Sequence, residues 1–129
     1  MGDYWLVLDT NILMTPERWG VDIFKEFERL VDKEYKLIVP EAVIKELEDL
    51  KEIGETKEKK AAKIGLELAS KAKEIPSKKP ADEKILRLSE KRKCIVATND
   101  KELKKALRER GVPVIYLRQT THLNITGKL

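Results

Sequence analysis

Four acidic residues, Asp9, Glu46, Asp82 and Asp100, stand where a carboxylate can do chemistry. The first ends the apolar run Tyr4-Trp5-Leu6-Val7-Leu8, which reads as a buried strand, and Thr10 and Asn11 follow it. A carboxylate at the carboxyl end of a buried strand lies where open α/β sheets bind their ligands. Asp100 repeats the arrangement, after the run Cys94-Ile95-Val96-Ala97 and the polar pair Thr98-Asn99. Both acids also have a plainer reading, as helix caps or turn formers.

Helical geometry singles out the other two. Val43, Leu47 and Leu50 make one stripe on a helix that starts near Glu41. Glu46 falls roughly 60° from Val43, whereas Glu41, Glu48 and Asp49 fall about 120° or more away. Glu46 is thus the acid that borders the buried face, and a boundary ion pair with a lysine is its plainer role. On the helix from Ala81, Asp82 falls between Ile85 and Leu86 on the inward side, and Glu83 points away. The helix dipole alone favours an acid in that first turn. An inward-facing Asp nonetheless needs a partner, because an unpaired buried charge is costly.

If the two strands are parallel neighbours, Asp9 and Asp100 emerge on one sheet edge, within reach of the other two acids. Four carboxylates gathered there raise one another's pKa values unless a cation sits among them. Hard divalent ions with oxygen ligands, Mg²⁺ or Mn²⁺, are the usual solution, and such clusters commonly drive phosphodiester hydrolysis.

The elements that must position these acids follow in order. The expected strands are Tyr4 to Leu8, Leu37 to Val39, Cys94 to Ala97 and Val114 to Leu117. A loop holding Pro16 and Gly20 precedes a helix with Ile23, Phe27, Leu30 and Val31 at helical spacing. Further helices are expected from Glu41 to about Glu52, Thr56 to about Lys73, Ala81 to about Arg92, and Asp100 to Gly111. Ile75 to Pro80 reads as a loop, and a tail begins at about Arg118. Strands without clean alternation, separated by helices, predict one α/β domain over residues 1–129 with a central parallel sheet covered on both faces.

Bulk properties narrow the function classes. At 129 residues and 41% apolar, the chain suits one compact domain with a genuine core. Charged residues reach 39%, mostly Lys and Glu, the pattern of ion-pair-rich proteins from hot environments. A net charge of +4 and a pI near 9.1 favour an anionic partner, nucleic acid first. The lone Cys94 excludes an internal disulfide and a zinc ribbon, and it reads as a buried structural thiol. His122, the single histidine, cannot supply the pair of acid–base groups that metal-independent ribonucleases generally need. No nucleophile elbow surrounds Ser70, Ser77 or Ser89, and no phosphate-cradling Gly-rich loop exists. No signal peptide or membrane span is visible, so a cytoplasmic protein with no membrane partner is expected.

Taken in order, Val-Leu-Asp9-Thr-Asn11, Val-Pro-Glu41 through Lys45-Glu46-Leu47, Ala81-Asp82 through Ile85-Leu86, and Ala97-Thr98-Asn99-Asp100 resemble the PIN-domain ribonucleases. The resemblance runs from Tyr4 to about Leu117. It implies a three-layer α/β/α sandwich in which Asp9, Glu46, Asp82 and Asp100 hold one or two Mg²⁺ or Mn²⁺ ions. Thr98 matches the hydroxyl of the family's fourth motif, as a supporting or water-positioning group, and Asn11 is a similar helper. The implied reaction is endonucleolytic cleavage of single-stranded or structured RNA, leaving 5′-phosphate and 3′-hydroxyl ends. Two branches come into view: toxins of toxin–antitoxin pairs, of the VapC-like kind, and ribosomal-RNA-processing nucleases. The ending from Gly111 to Gln119 looks more like archaeal relatives of the processing nuclease Fcf1. A non-catalytic PIN-like module that binds RNA or protein is the competing class, although such modules usually lack one or more of the acids.

Basic residues near the acids are the expected substrate rim. Lys101, Lys104, Lys105 and Arg108 follow Asp100 on one helix, with Lys57, Lys59, Lys60 and Lys63 on another. Solvated faces are the plainer reading of such Lys-rich helices. Trp19, taken to lie on a loop near Asp9, is the candidate for stacking on a base. The apolar excess on the helices between Ile23 and Leu68 suggests a homodimer, and the toxin branch adds an antitoxin protein as partner.

Overall fold

The computed structural model describes residues 4–129. Its strands are β1 (Tyr4–Leu8), β2 (Tyr35–Pro40), β3 (Lys73–Ile75), β4 (Cys94–Ala97), β5 (Val114–Arg118) and β6 (His122–Thr126). Its helices are α1 (Thr10–Trp19), α2 (Ile23–Leu30), α3 (Glu41–Ile53), α4 (Thr56–Ala69), α5 (Ala81–Lys91) and α6 (Lys101–Glu109). The strands form one sheet in the order β3-β2-β1-β4-β5-β6, parallel except for the antiparallel β5–β6 pair.

Period-two alternation divides the core between the two faces of this sheet. Leu6, Leu8, Ile95 and Ala97 face α1 to α4, joining Leu13, Phe27, Val43 and Leu47. Val7 and Val96 face the other way, with Ile85 and Leu88 of α5 and Leu103 and Leu107 of α6. The result is the expected α/β/α sandwich. α1, α3 and α4 pack closely at Gly65, where an added Cβ would sit 3.1 Å from the Leu13 carbonyl oxygen and 3.2 Å from Leu47.

β1 is the pivot. The chain leaves it toward β2 and β3 on one side, and returns to β4 and β5 on the other. The crevice beyond β1 and β4 is therefore the topological switch point, where doubly wound sheets bind ligands. Leu8 pairs with Ala97, and the Asp9 N–H donates to the Ala97 carbonyl at 3.0 Å. Asp9 and the segment from Thr98 to Asp100 consequently leave the sheet side by side.

Several sequence expectations need correction. The loop holding Pro16 is helix α1, capped by Asp9 and ended by Gly20 in the left-handed region at φ 70°. Interior proline costs a helix about 3 kcal/mol, yet burial of Ile12, Leu13 and Met14 keeps this one intact. α4 stops at Ala69, and Lys73–Ile75 forms a short strand on β2 instead of helix and loop. The tail beyond Arg118 is strand β6, so the sheet is mixed and not wholly parallel. β6 is held by α2: Arg29 donates to the Leu123 carbonyl at 2.8 Å, and the Leu123 N–H donates to Glu26 at 2.9 Å. No helix among the described residues is long and apolar enough to cross a membrane.

Candidate active site

Asp9 is the anchor of the site. It is only 7% exposed, and its two oxygens are fixed separately. One accepts the Thr10 N–H at 2.9 Å, and the other accepts the Thr98 hydroxyl at 2.6 Å. Burial pushes its carboxyl above the ordinary value; the Thr98 and Thr10 hydrogen bonds pull it down, and the charges of Glu46 and Asp100 push it up again.

Thr98 is fully buried behind Asp9 and also accepts the Asp100 N–H at 3.1 Å. One hydroxyl thus ties the end of β1 to the start of α6. Asp100 is exposed and caps α6, accepting the Leu103 N–H at 3.0 Å. Glu46 reaches in from α3, where its carboxylate accepts the Thr10 hydroxyl at 2.7 Å. Asp82, expected to face inward, is exposed at the first turn of α5 and accepts the Glu83 N–H at 2.9 Å. It follows the buried Ala81, so it stands at a rim and not within the core.

The structure brings all four acids to one open cavity of about 300 Å³, which Thr10, Asn11 and Met14 also line. No lysine or arginine lines it. Among the described residues, however, no three acid, histidine or cysteine side chains stand close enough to hold an ion directly. That spacing fits a hard ion that keeps part of its water shell, as Mg²⁺ does, better than a closed cage of protein ligands. The donor set itself is all oxygen and uncompensated by a cation, which also fits a hard divalent ion.

Two further residues hold the site, and neither was singled out from the sequence. Thr10 positions Glu46, and its place directly after Asp9 was the available signal. Asn99 joins three elements. Its N–H donates to Asn11 at 2.9 Å, its side-chain oxygen accepts the Leu117 N–H at 2.7 Å, and its side-chain nitrogen donates to Thr15 at 3.4 Å. Asn11 lines the cavity and serves here as the acceptor that ties α1 to the β4–α6 connection.

The expected basic rim is only partly free. Lys101, directly after Asp100, and Lys105, one turn further along α6, are exposed. Lys104 lies over the Tyr116 ring at 3.4 Å, and Arg108 donates to the Val112 carbonyl at 3.1 Å. Trp19 is 51% exposed but not on a loop near Asp9. It ends α1, about 14 Å along the helix from Thr10, in a separate groove with Lys57 and Lys60.

A mostly parallel α/β/α sandwich with an acid-lined crevice at its switch point defines the class of protein. The chain belongs to the PIN-like domain family, whose sequence pattern matches residues 6–120. It is 34% identical over 129 residues to Ribonuclease VapC4 of Methanocaldococcus jannaschii, covering 96% of this chain and 98% of that protein. It is 33% identical over 113 residues to Ribonuclease VapC9 of Archaeoglobus fulgidus, covering 88% and 82% respectively. The solved structure of the PIN domain endonuclease Utp24 superposes with a TM-score of 0.79, covering 98% of this chain and 93% of that one. At 23% identity that likeness speaks for the fold alone.

Proposed function

We propose that this chain is a divalent-metal-dependent endoribonuclease that hydrolyses RNA phosphodiester bonds at the acid-lined crevice. The observation that carries the reading is the meeting of Asp9, Glu46, Asp82 and Asp100 around one cavity that no basic side chain lines. The ribonuclease names of the two archaeal relatives support it.

Asp9, Glu46 and Asp100 would hold the ion in part through its own water shell, since no three of them stand close enough to ligate it directly, with Asp82 at the rim. When bound, Mg²⁺ or Mn²⁺ supplies Lewis-acid polarisation of the phosphate and lowers the pKa of the attacking water. The chain's own residues do the positioning. Thr98 and the Thr10 N–H hold both oxygens of Asp9, leaving its plane fixed. Thr10 holds Glu46, and the pairing of Asn11 with Asn99 keeps the first turn of α1 against the β4–α6 connection. Attack of water oxygen on phosphorus breaks the bond to the 3′ oxygen, which takes up a proton, leaving 5′-phosphate and 3′-hydroxyl ends. Lys101, which follows Asp100, and Lys105 one turn further along α6 are exposed and would neutralise phosphates on that side.

Two placements within the family each have a specific support. The names of the relatives favour the VapC-like toxin branch, with an antitoxin protein as partner. The segment from Gly111 to Gln119 favours ribosomal RNA processing. Among the described residues, exposed Trp19 and Ile53 are the large apolar side chains available to a partner, whether a second copy or an antitoxin.

The test is incubation of purified protein with end-labelled RNA in Mg²⁺, Mn²⁺ or EDTA, followed by analysis of product ends. Cutting is expected with either metal and not with EDTA. Products with cyclic phosphate ends, or cutting undiminished by EDTA, would contradict the reading. Arrest of growth on expression would select the toxin branch, and one defined cut in precursor ribosomal RNA the processing branch.

A further inference from the structure

On the reading as an RNA-cleaving enzyme, from which this inference starts, the strand must be gripped beside the cut, and the acid-lined cavity offers no basic side chain. A neighbouring cleft of about 300 Å³ is the reverse. It lies between residues 76–79 and one side of α5, lined by Lys78, Lys79, Lys84, Arg87 and Lys91 and by no acid. Lys84, Arg87 and Lys91 fall within about 60° of one another around the helix, a single stripe. None of the five has a carboxylate within 4.0 Å among the described residues, and Glu90 of the same helix pairs with Arg110 instead.

Among the described residues, charge is not segregated in this way in the groove at Trp19 or on the face of α6. The groove at Trp19 mixes Glu17, Glu55 and Glu58 with its cations, and Lys60 is paired with Glu17 at 3.4 Å. On α6, Lys104 and Arg108 are occupied by Tyr116 and by the Val112 carbonyl.

The cationic cleft is also continuous with the acids. α5 carries Asp82 in the wall of the acid-lined cavity and Lys84, Arg87 and Lys91 in the wall of the cleft. A larger groove of about 1040 Å³ joins the two, lined by Glu46 and by Lys78 and Lys79. Its α3 side bears Glu41, Glu46, Glu48 and Asp49 against the single cation Lys45, and the facing segment bears Lys78 and Lys79 against Glu74, so a polyanion is favoured on the side of residues 77–80 that leads to α5.

We propose that this cleft is a phosphate-binding track for single-stranded RNA on one side of the scissile bond. Lys78 and Lys79 meet the phosphates nearer the cut, and Lys84, Arg87 and Lys91 meet those further out, up to about 14 Å along α5 from Asp82. Contacts of this kind set the register of the strand and do not read its sequence.

Binding of a labelled single-stranded RNA of mixed sequence, followed by fluorescence anisotropy in EDTA across a salt series, tests the track without cleavage. Arg87→Ala/Lys91→Ala is compared with Lys25→Ala/Lys71→Ala, which removes the same charge on the other face of the sheet, where Lys25 is exposed on α2 and Lys71 lies over the Phe24 ring of the same helix. Circular dichroism checks that both variants fold. The α5 pair is expected to weaken binding about ten-fold near 0.1 M salt and to flatten the salt dependence by about 1.4, two phosphate contacts at about 0.7 each. The control pair is expected to stay within about two-fold of wild type. Equal losses from both pairs, or no RNA binding by wild type, would overturn the track. So would an α5 pair that binds normally, which would hand the cleft to an acidic protein partner. Since binding is read apart from cutting, a wild type that binds in this pattern but never cleaves would fail the nuclease reading and keep the track.

Discussion

Asp9→Asn is expected to lower RNA cleavage by at least about 10³-fold, a loss typical of removing a group that acts on the reacting centre. Asn keeps the shape and can still accept the Thr10 N–H, while its amide nitrogen faces Thr98, whose hydroxyl must then accept where it donated to Asp9; the change removes the charge and reverses one buried hydrogen bond. In metal-free protein the same substitution is expected to raise stability at neutral pH. Burial, opposed by two hydrogen bonds and reinforced by Glu46 and Asp100, leaves the Asp9 carboxyl above its ordinary 3.8. The native state therefore holds this proton more tightly than the unfolded chain does. The stability associated with it is fully present below about 3.8 and is lost as pH rises through the folded value. Asn does not titrate, so the advantage of the variant opens as pH climbs from 4 toward 7. Chemical denaturation in EDTA across that range, paired with cleavage assays in Mn²⁺, measures both halves.

Asn99→Ala is expected to cost about 10- to 100-fold in cleavage, the usual penalty for losing a group that orients the residues of a metal site. It removes the acceptor for the Leu117 N–H and the donor to Thr15, and loosens the loop whose N–H reaches Asn11. The Leu117 N–H loses its partner, and the total cost in stability is about 2–3 kcal/mol. Urea denaturation gives the stability change. Cleavage measured well below the melting point separates misplacement of Asp100 and Asn11 from simple unfolding, because a purely structural role predicts full activity there.

The acids were legible because each follows a pattern set by local physics. An apolar run that stops at a carboxylate marked Asp9 and Asp100, and helical periodicity marked Glu46 and Asp82. The sheet confirmed the first pair as neighbours, since Leu8 pairs with Ala97. Periodicity could not say how deep each acid sits: only Asp9 is buried, while Glu46, Asp82 and Asp100 are exposed. Pro16 concealed α1, because a proline weighs heavily in local reading whereas the Asp9 cap and the burial of Ile12 and Leu13 are tertiary. β6 was concealed by its turn. Gln119 and Thr120 adopt φ 55° and 58°, the left-handed region normally signalled by Gly or Asn. From sequence the basic rim falls on α6 and on the Lys57 to Lys63 helix, and the cationic stripe of α5 is passed over. The difference arises from Tyr116 on β5 and the Val112 carbonyl, which occupy Lys104 and Arg108 on α6, while the α5 cations meet no acid.

The central claim is that four carboxylates meet because a divalent cation belongs among them. Its most direct test is the thermal midpoint of wild type and Asp9→Asn at pH 7, each in EDTA and in saturating Mn²⁺. A ligand that binds only the native state at about 100 times its Kd adds about 2.7 kcal/mol. The ranking is predicted to cross: the variant melts higher in EDTA, and the wild type gains several degrees in Mn²⁺ and overtakes it. Midpoints that Mn²⁺ leaves unmoved, with wild type already the more stable in EDTA, would contradict the account.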